Sequence, residues 1–377
     1  MMTNIFMVAG TFDKNGGKPS KLITAIAAGI SESCKVRLIN GGHEGLLPAL
    51  AAQAYSEKIV VWAPNVSNSL GVNFLPSIKK VNPHCILVSS KRNNLEYKFP
   101  ELIQHMLRNS ANLCVEFNAS NRSEIISRVL DPLANTYINT KSDNVSGWSS
   151  NPLCTGIALG RRIVKLTKFH RVGCVKALIN VAALPKQKDV DYFMDLAKDW
   201  ANRFDALIPK ATTNARFVGN SSFRCSHGFP SFRSNKDVFM MSRRNVDKTN
   251  IDINAFVPVL MNKQPTESII YDGPNKPSVD TPLHRALYYF LPNINWMIHG
   301  HVYADTLMEK TNYATPCGSI EEITSVMVKI NGDCGPNTNN FVINLRGHGF
   351  IAGAAKPQML KDLKFYPRKA PEAQTVF

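Results

Sequence analysis

The first 140 residues alternate between short apolar runs and longer stretches with helical apolar spacing, and this alternation restricts the fold more than any other feature. Strand-like runs stand at Asn4–Ala9, Val36–Asn40, Lys58–Ala63, His84–Ser89 and Asn112–Phe117. Helix-like stretches separate them at Lys21–Glu32, Leu46–Glu57 and Phe99–Asn109, and another follows at Ser123–Ala134. Continuous apolar strands alternating with helices are the pattern of a parallel sheet covered on both faces. The spacing therefore predicts a doubly wound, Rossmann-like α/β domain over residues 1–150. Residues 139–156 are rich in Ser, Asn, Thr and Gly and mark a linker or long loop. Beyond about Arg216 the strand-like runs are shorter: Val238–Met241, Phe256–Leu260, Ser268–Tyr271, Ser325–Ile330 and Asn340–Leu345. Helical stretches intervene at Pro282–Phe290, Ala304–Glu309 and Ser319–Thr324. This less regular order predicts a second α/β domain, residues 151–377, with a mainly antiparallel sheet.

Composition excludes several classes. Of 377 residues, 44% are hydrophobic and 19% charged, so the chain can bury a sizeable core and is not globally disordered. No apolar run reaches the roughly 18 residues that a membrane span needs. Met1–Gly10 has no basic lead-in of the secretory kind. The eight cysteines include no C-x-x-C pair, and several sit inside apolar runs, as expected of reduced thiols in a cytoplasmic protein. The formal net charge of +16 attracts anions. It divides as +5 over residues 1–150 and +11 over the remainder, which favours a phosphorylated small molecule as the partner over nucleic acid. Arg161–Lys188 holds eight basic residues and no acidic one, but lacks interleaved aromatics and matches no nucleic-acid module. A solvated face or an oligomer contact accounts for it better.

The chemistry gathers around histidine. His299 and His301 stand at i and i+2 of a strand-like run, so both imidazoles face the same side. His348, between Gly347 and Gly349, follows another such run, and Asp280 lies about 20 residues before the pair. An isolated His-x-His is more often two solvated histidines than a ligand pair. Three imidazoles with a carboxylate or water nevertheless suit a catalytic zinc with one position open to substrate.

Five segments from about Gly219 to Gly353 resemble the class II aldolase/adducin family, in that family's order. They are Gly219-Asn220-Ser221-Ser222; Ser242-Arg243-Arg244-Asn245; the run Pro277-Ser278-Val279-Asp280-Thr281-Pro282-Leu283-His284; His299-Gly300-His301; and Thr315-Pro316-Cys317-Gly318 with Leu345-x-x-His348-Gly349. The resemblance implies that His299, His301 and His348 bind Zn2+ or another divalent metal, and that Asp280 is the acid/base carboxylate. It implies that Asn220, Ser221 and Ser278 contact a substrate phosphate, with Ser242 and Arg244 nearby. It further implies a lyase or epimerase acting on a phosphorylated sugar-like compound through a metal-stabilised enediolate, in a homo-oligomer, usually a tetramer. Asp rather than Glu at position 280 matches the pentulose-phosphate 4-epimerase pattern more closely than the aldolases.

The sequence also departs from that family. Val279 stands where a phosphate-binding Ser is usual, and Arg244-Asn245 replaces Ser-Gly. Only 29 residues follow His348, with Tyr366 the one tyrosine among them. These departures keep open a catalytically inactive, adducin-like binding module, and the net charge keeps open nucleic-acid association. His284 reads as a helix-packing residue. In the N-terminal half, Gly10, Gly16 and Gly17 lie in a turn after the first strand, where doubly wound folds bind nucleotides or sugar phosphates. This turn is neither a G-x-G-x-x-G fingerprint nor a P-loop. Polar or Gly-rich segments at 41–45 and 65–68 follow the next two strands.

Overall fold

A computed structural model describes residues 3–8, 20–39, 60–62, 76, 78, 85–93, 99–121, 124–132, 135–138, 147–179, 181, 184–207, 219–225, 238–261, 267–366 and 372–375. They fall into two compact units, one from Met1–Lys168 and Lys369–Phe377, the other from Phe169–Lys210 and Arg216–Arg368. The sequence reading ends the first domain at residue 150; the first unit also holds residues 151–168 and the C-terminal strand.

The first unit is a mixed α/β layer structure. Five parallel strands run in the spatial order β2 (Cys34–Ile39), β1 (Thr3–Val8), β3 (Val60–Trp62), β4 (Ile86–Asn93) and β5 (Leu113–Asn121). Then β6 (Glu124–Leu130) and β7 (Asn135–Ile138) continue the sheet antiparallel, and β18 (Glu372–Thr375) pairs in parallel with β7. The expected helix at Ser123–Ala134 is therefore a strand. Its β-branched residues and period-2 burial, with Ser127 and Val129 inward, suit a strand better than a helix. Only two residues separate β5 from β6, too few for the crossover that a parallel pair requires. The sheet is thus parallel over five strands and mixed as a whole.

Helices α1 (Lys21–Ser31) and α3 (Pro152–Lys168) pack on one face, and α2 (Phe99–Arg108) supplies Leu102 and Met106 to a second cluster with Cys114 and Leu130. α1 and α3 approach through glycines. A Cβ on Gly29 would stand 2.2 Å from the Leu153 carbonyl oxygen, and one on Gly156 2.1 Å from that of Ile26.

The second unit is three layers. Its sheet has the order β15 (Asn340–Leu345), β16 (Gly349–Ala354), β13 (Trp296–Gly300), β9 (Asn220–Arg224), β10 (Val238–Ser242), β11 (Phe256–Leu260), β12 (Ile269–Tyr271) and β8 (Cys174–Lys176). Every pairing is antiparallel except that of β12 with β8. On one face lies α4 (Gln187–Leu207), which buries Val190, Phe193, Met194, Ala197, Trp200 and Phe204 at helical spacing against Phe223, Trp296, Ile298 and Phe350. On the other lie α5 (Thr281–Phe290) and α6 (Ile320–Asp333), packed on Phe239, Met241, Met297 and Ile351.

Two expectations fail here. The strand-like Ser325–Ile330 lies inside α6, because Ile323, Val326, Met327 and Ile330 recur at i, i+3, i+4 and i+7 while Val328 is exposed. Ala304–Glu309 forms no helix; Ala304 closes the short β14 (Tyr303–Ala304), paired with β17 (Phe365–Tyr366), and bends follow. All eight cysteines are free. Among the described residues no helix is long and apolar enough to cross a membrane.

The helix crossing yields a direct test. Gly156→Ala forces α1 and α3 apart and should destabilise the first unit by about 1–3 kcal/mol in urea unfolding. Gly332→Ala, where a new Cβ meets nothing within 4 Å, should be neutral or stabilising by up to about 1 kcal/mol. Equal effects at the two positions would refute the close crossing.

Candidate metal centre

Three imidazoles converge at one end of the second sheet. His299 ends up beside β16 because β13 and β16 pair His299 with Ile351 and Gly300 with Phe350. Its Nδ1 lies 2.7 Å from the Phe350 carbonyl, to which it donates, so Nε2 faces the cluster with its lone pair. His301 stands just past the end of β13. His348 sits in the tight turn between β15 and β16. The three ring centroids are 4.5–5.1 Å apart, and one nitrogen from each ring falls within 4.8 Å of the others. That turn closes only because of glycine: Gly349 has φ +137°, and a Cβ there would stand 2.0 Å from the Gly300 carbonyl oxygen.

Asp280 caps α5 but makes no side-chain cap bond. Its carboxylate turns to the histidines instead, with Oδ2 accepting from Asn220 Nδ2 at 2.6 Å and lying 3.8 Å from His299 Nε2. Burial resists its ionisation, yet His299, His348, His284 and the Asn220 bond together hold its pKa below the usual range. Burial pushes the His299 pKa down to about 3.

The third histidine is held differently. His348 Nδ1 lies 2.6 Å from Glu322 Oε1, and both side chains are buried. Burial opposes a charge on this ring, but Cys317 and Glu322 beside it lift its pKa well above the ordinary value. Glu322 Oε2 accepts from the Gly318 amide at 2.7 Å. Cys317 Sγ lies 3.1 Å from His348 Nε2.

The donor set fits a divalent metal. His299 Nε2 and Asp280 Oδ1 are buried polar atoms without a hydrogen-bond partner, an arrangement that costs roughly 1–3 kcal/mol per group unless something else satisfies it. Three nitrogens with a carboxylate close by are zinc-type ligands, and both His299 and His348 carry the outer hydrogen bond that fixes a ligating ring.

The residues expected at the phosphate divide between the sheet's two faces. Asn220 and Ser222 point to the α5 face: Asn220 holds Asp280, and Ser222 Oγ bonds His284 Nδ1 at 2.7 Å and Tyr288 Oη at 2.9 Å. Burial lowers the His284 pKa to about 4, so it is a neutral packing residue, as its helical position suggests. Strand alternation turns Ser221 to the α4 face, where it lines a cavity with Ala197, Ala201, Phe204 and Lys248. Ser242 is buried, its Oγ accepting from the Ser221 amide at 3.1 Å. The Ser242–Asn245 and Lys276–Val279 segments are stitched by backbone bonds from Ser278 to Ser242 and from Arg244 to Lys276. Ser278 is half-buried there and Arg244 exposed. Gly10, Gly16 and Gly17, and the segments at 41–45 and 65–68, lie outside the described residues.

Sequence reasoning gave no role to Glu322, to Lys248 or to Cys317, which it named only within the Thr315–Gly318 segment. The first carried a signal: Ser319-x-x-Glu322 has capping-box spacing, and Ser319 Oγ does accept from the Glu322 amide at 3.2 Å. The Glu322 carboxylate departs from that motif by serving Gly318 and His348.

Residues 206–359 match the family described as Class II Aldolase and Adducin N-terminal domain. No curated protein sequence matches the chain. Among solved structures, an L-fuculose 1-phosphate aldolase is similar with a TM-score of 0.29 and 14% identity, over 46% of this chain and 78% of that one. The L-fuculose-1-phosphate aldolase of Thermus thermophilus gives 0.28 and 17%, over 45% and 81%. An aldolase II superfamily protein of Pseudomonas syringae gives 0.30 and 11%, over 46% and 69%.

If Glu322 orients His348 for a metal, Glu322→Gln should weaken divalent-metal affinity about 10- to 100-fold in competition with a chromophoric chelator. Glu321→Gln, whose carboxylate meets the exposed His170 at 2.8 Å, should leave that affinity unchanged.

Proposed function

We propose, from the match of residues 206–359 to the class II aldolase and adducin family, that this protein is a metal-dependent lyase or epimerase acting on a phosphorylated, sugar-like substrate. The observation that carries the reading is the convergence of His299, His301 and His348 beside the buried Asp280. The three histidines would hold the ion. When bound, a divalent metal supplies Lewis-acid stabilisation of negative charge developing on a substrate oxygen.

This chain's residues do the rest. Asp280 is ionised and reaches the cluster, so it accepts a proton from a substrate carbon or hydroxyl and returns it. Asn220 holds the carboxylate in place by donating to Oδ2, while Oδ1 has no hydrogen-bond partner. The exclusion of water around His299 and Asp280, which are 1% and 5% exposed, strengthens each of these electrostatic contacts. Excess positive charge in the second half draws an anionic substrate, and the Ser242–Asn245 and Lys276–Val279 segments offer amides, hydroxyls and Arg244 for its phosphate. The parallel strand order of the first unit, with β1 between β2 and β3, supports reading that unit as a doubly wound, nucleotide-fold type of domain.

The purified protein should carry about one divalent metal per chain by elemental analysis, and His299→Ala should lose it. Asp280→Asn should keep the metal while lowering turnover about 10²- to 10⁴-fold, scored by aldehyde release or epimer formation across a panel of ketose phosphates. A metal-free wild type after loading with zinc would overturn the reading and favour a binding module.

A further inference from the structure

Resting on the metal centre read above, we propose that Cys317 is a further protein ligand of that centre, bound beside His348. Because Nδ1 of His348 is committed to Glu322, Nε2 is the nitrogen left to bind an ion, and Cys317 Sγ lies 3.1 Å in front of it. Bonds of about 2.0–2.1 Å to nitrogen and 2.3 Å to sulfur place two donors of one zinc roughly 3–3.7 Å apart. The observed separation falls in that range. Cys317 Sγ, His348 and an Asp280 oxygen also lie within 4.8 Å of one another, and Cys317 is the one cysteine in such a group among the described residues.

The backbone holds the thiol there deliberately. Gly318, the next residue, has φ +69°, and a Cβ on it would stand 2.1 Å from the Val279 carbonyl oxygen, immediately before Asp280. Its amide is fixed by Glu322 Oε2, while Glu322 Oε1 fixes His348. One buried carboxylate thus sets the positions of both the sulfur and the imidazole. Asp280, in the same group as Cys317 and His348, keeps a buried Oδ1 without a hydrogen-bond partner, an independent mark of a place that receives a ligand.

Coordination breaks the S–H bond, forms a metal–sulfur bond and releases the proton to solvent. A soft thiolate among the donors selects zinc over magnesium or manganese. Catalytic zinc expands to five-coordinate, so a further protein donor still admits a substrate oxygen.

The deciding measurement is zinc K-edge X-ray absorption on the zinc-loaded full chain. The expected spectrum contains one sulfur scatterer at about 2.3 Å. Cys317→Ser should lose that shell, retain zinc through the three imidazoles, and bind it at least about tenfold more weakly. In cobalt-loaded protein the thiolate-to-metal charge-transfer band should appear in the wild type and vanish in the variant. A wild-type spectrum with nitrogen and oxygen scatterers alone overturns the role of Cys317 and leaves the metal-dependent function standing. A wild type that takes up no zinc overturns both. The wild-type spectrum decides even where the variant fails to fold.

Discussion

The candidate site depends on one buried carboxylate. Glu322 lies in the first turn of α6 and is 2% exposed, yet neither of its oxygens faces solvent. One grips the His348 ring and the other the Gly318 amide. A carboxylate in such a place resists ionisation through desolvation, so it is stable only while both bonds are made. The demand is reciprocal. The helix start, the turn at Gly318 and the β15–β16 turn must all arrive at one point before any of them is satisfied. Asp280 repeats the device on the neighbouring helix, with Asn220 as its anchor.

Much of this centre was legible in the sequence, and the reason is local. His299-Gly300-His301, Asp280 and His348 each sit in short strings whose residue types betray their chemistry, and the structure brings all of them to one place. The roles of Glu322 and Cys317 were hidden for the opposite reason. A Glu in a helix's first turn and a Cys before a glycine are ordinary residues until a partner 26 or 31 positions away is folded against them. The residues expected at a phosphate show another limit. Adjacent serines 221 and 222 look equivalent as letters, but the pleat sends one to the α4 face and the other to the α5 face. Arg244 drew attention because its charge is conspicuous, whereas Lys248 is 8% exposed and lines the cavity beside Ser221.

The fold errors have the same origin. Ser325–Ile330 and Ser123–Ala134 are both rich in β-branched residues, and each was assigned the wrong element. In α6 the 3-4 spacing of Ile323, Val326, Met327 and Ile330 matched the groove it fills, and β-propensity yielded to it. In β6 no amphipathic stripe existed to compete, and the two-residue link from β5 left only an antiparallel neighbour. Regular apolar runs such as those of β4 and β5 were readable because burial on both faces leaves few alternatives.

The last strand carries a consequence for how the molecule is made. β18 pairs with β7, so the first unit's sheet contains residues from both ends of the chain, and the whole second unit lies between them in sequence. During synthesis the ribosome delivers β7 more than 200 residues before its parallel partner. Until then that edge presents unpaired amides and carbonyls, the template through which sheets recruit foreign strands. The second unit, contiguous over most of its length, has no such wait. Vectorial synthesis therefore favours completion of the second unit first, with the first unit's sheet completed only when β18 emerges.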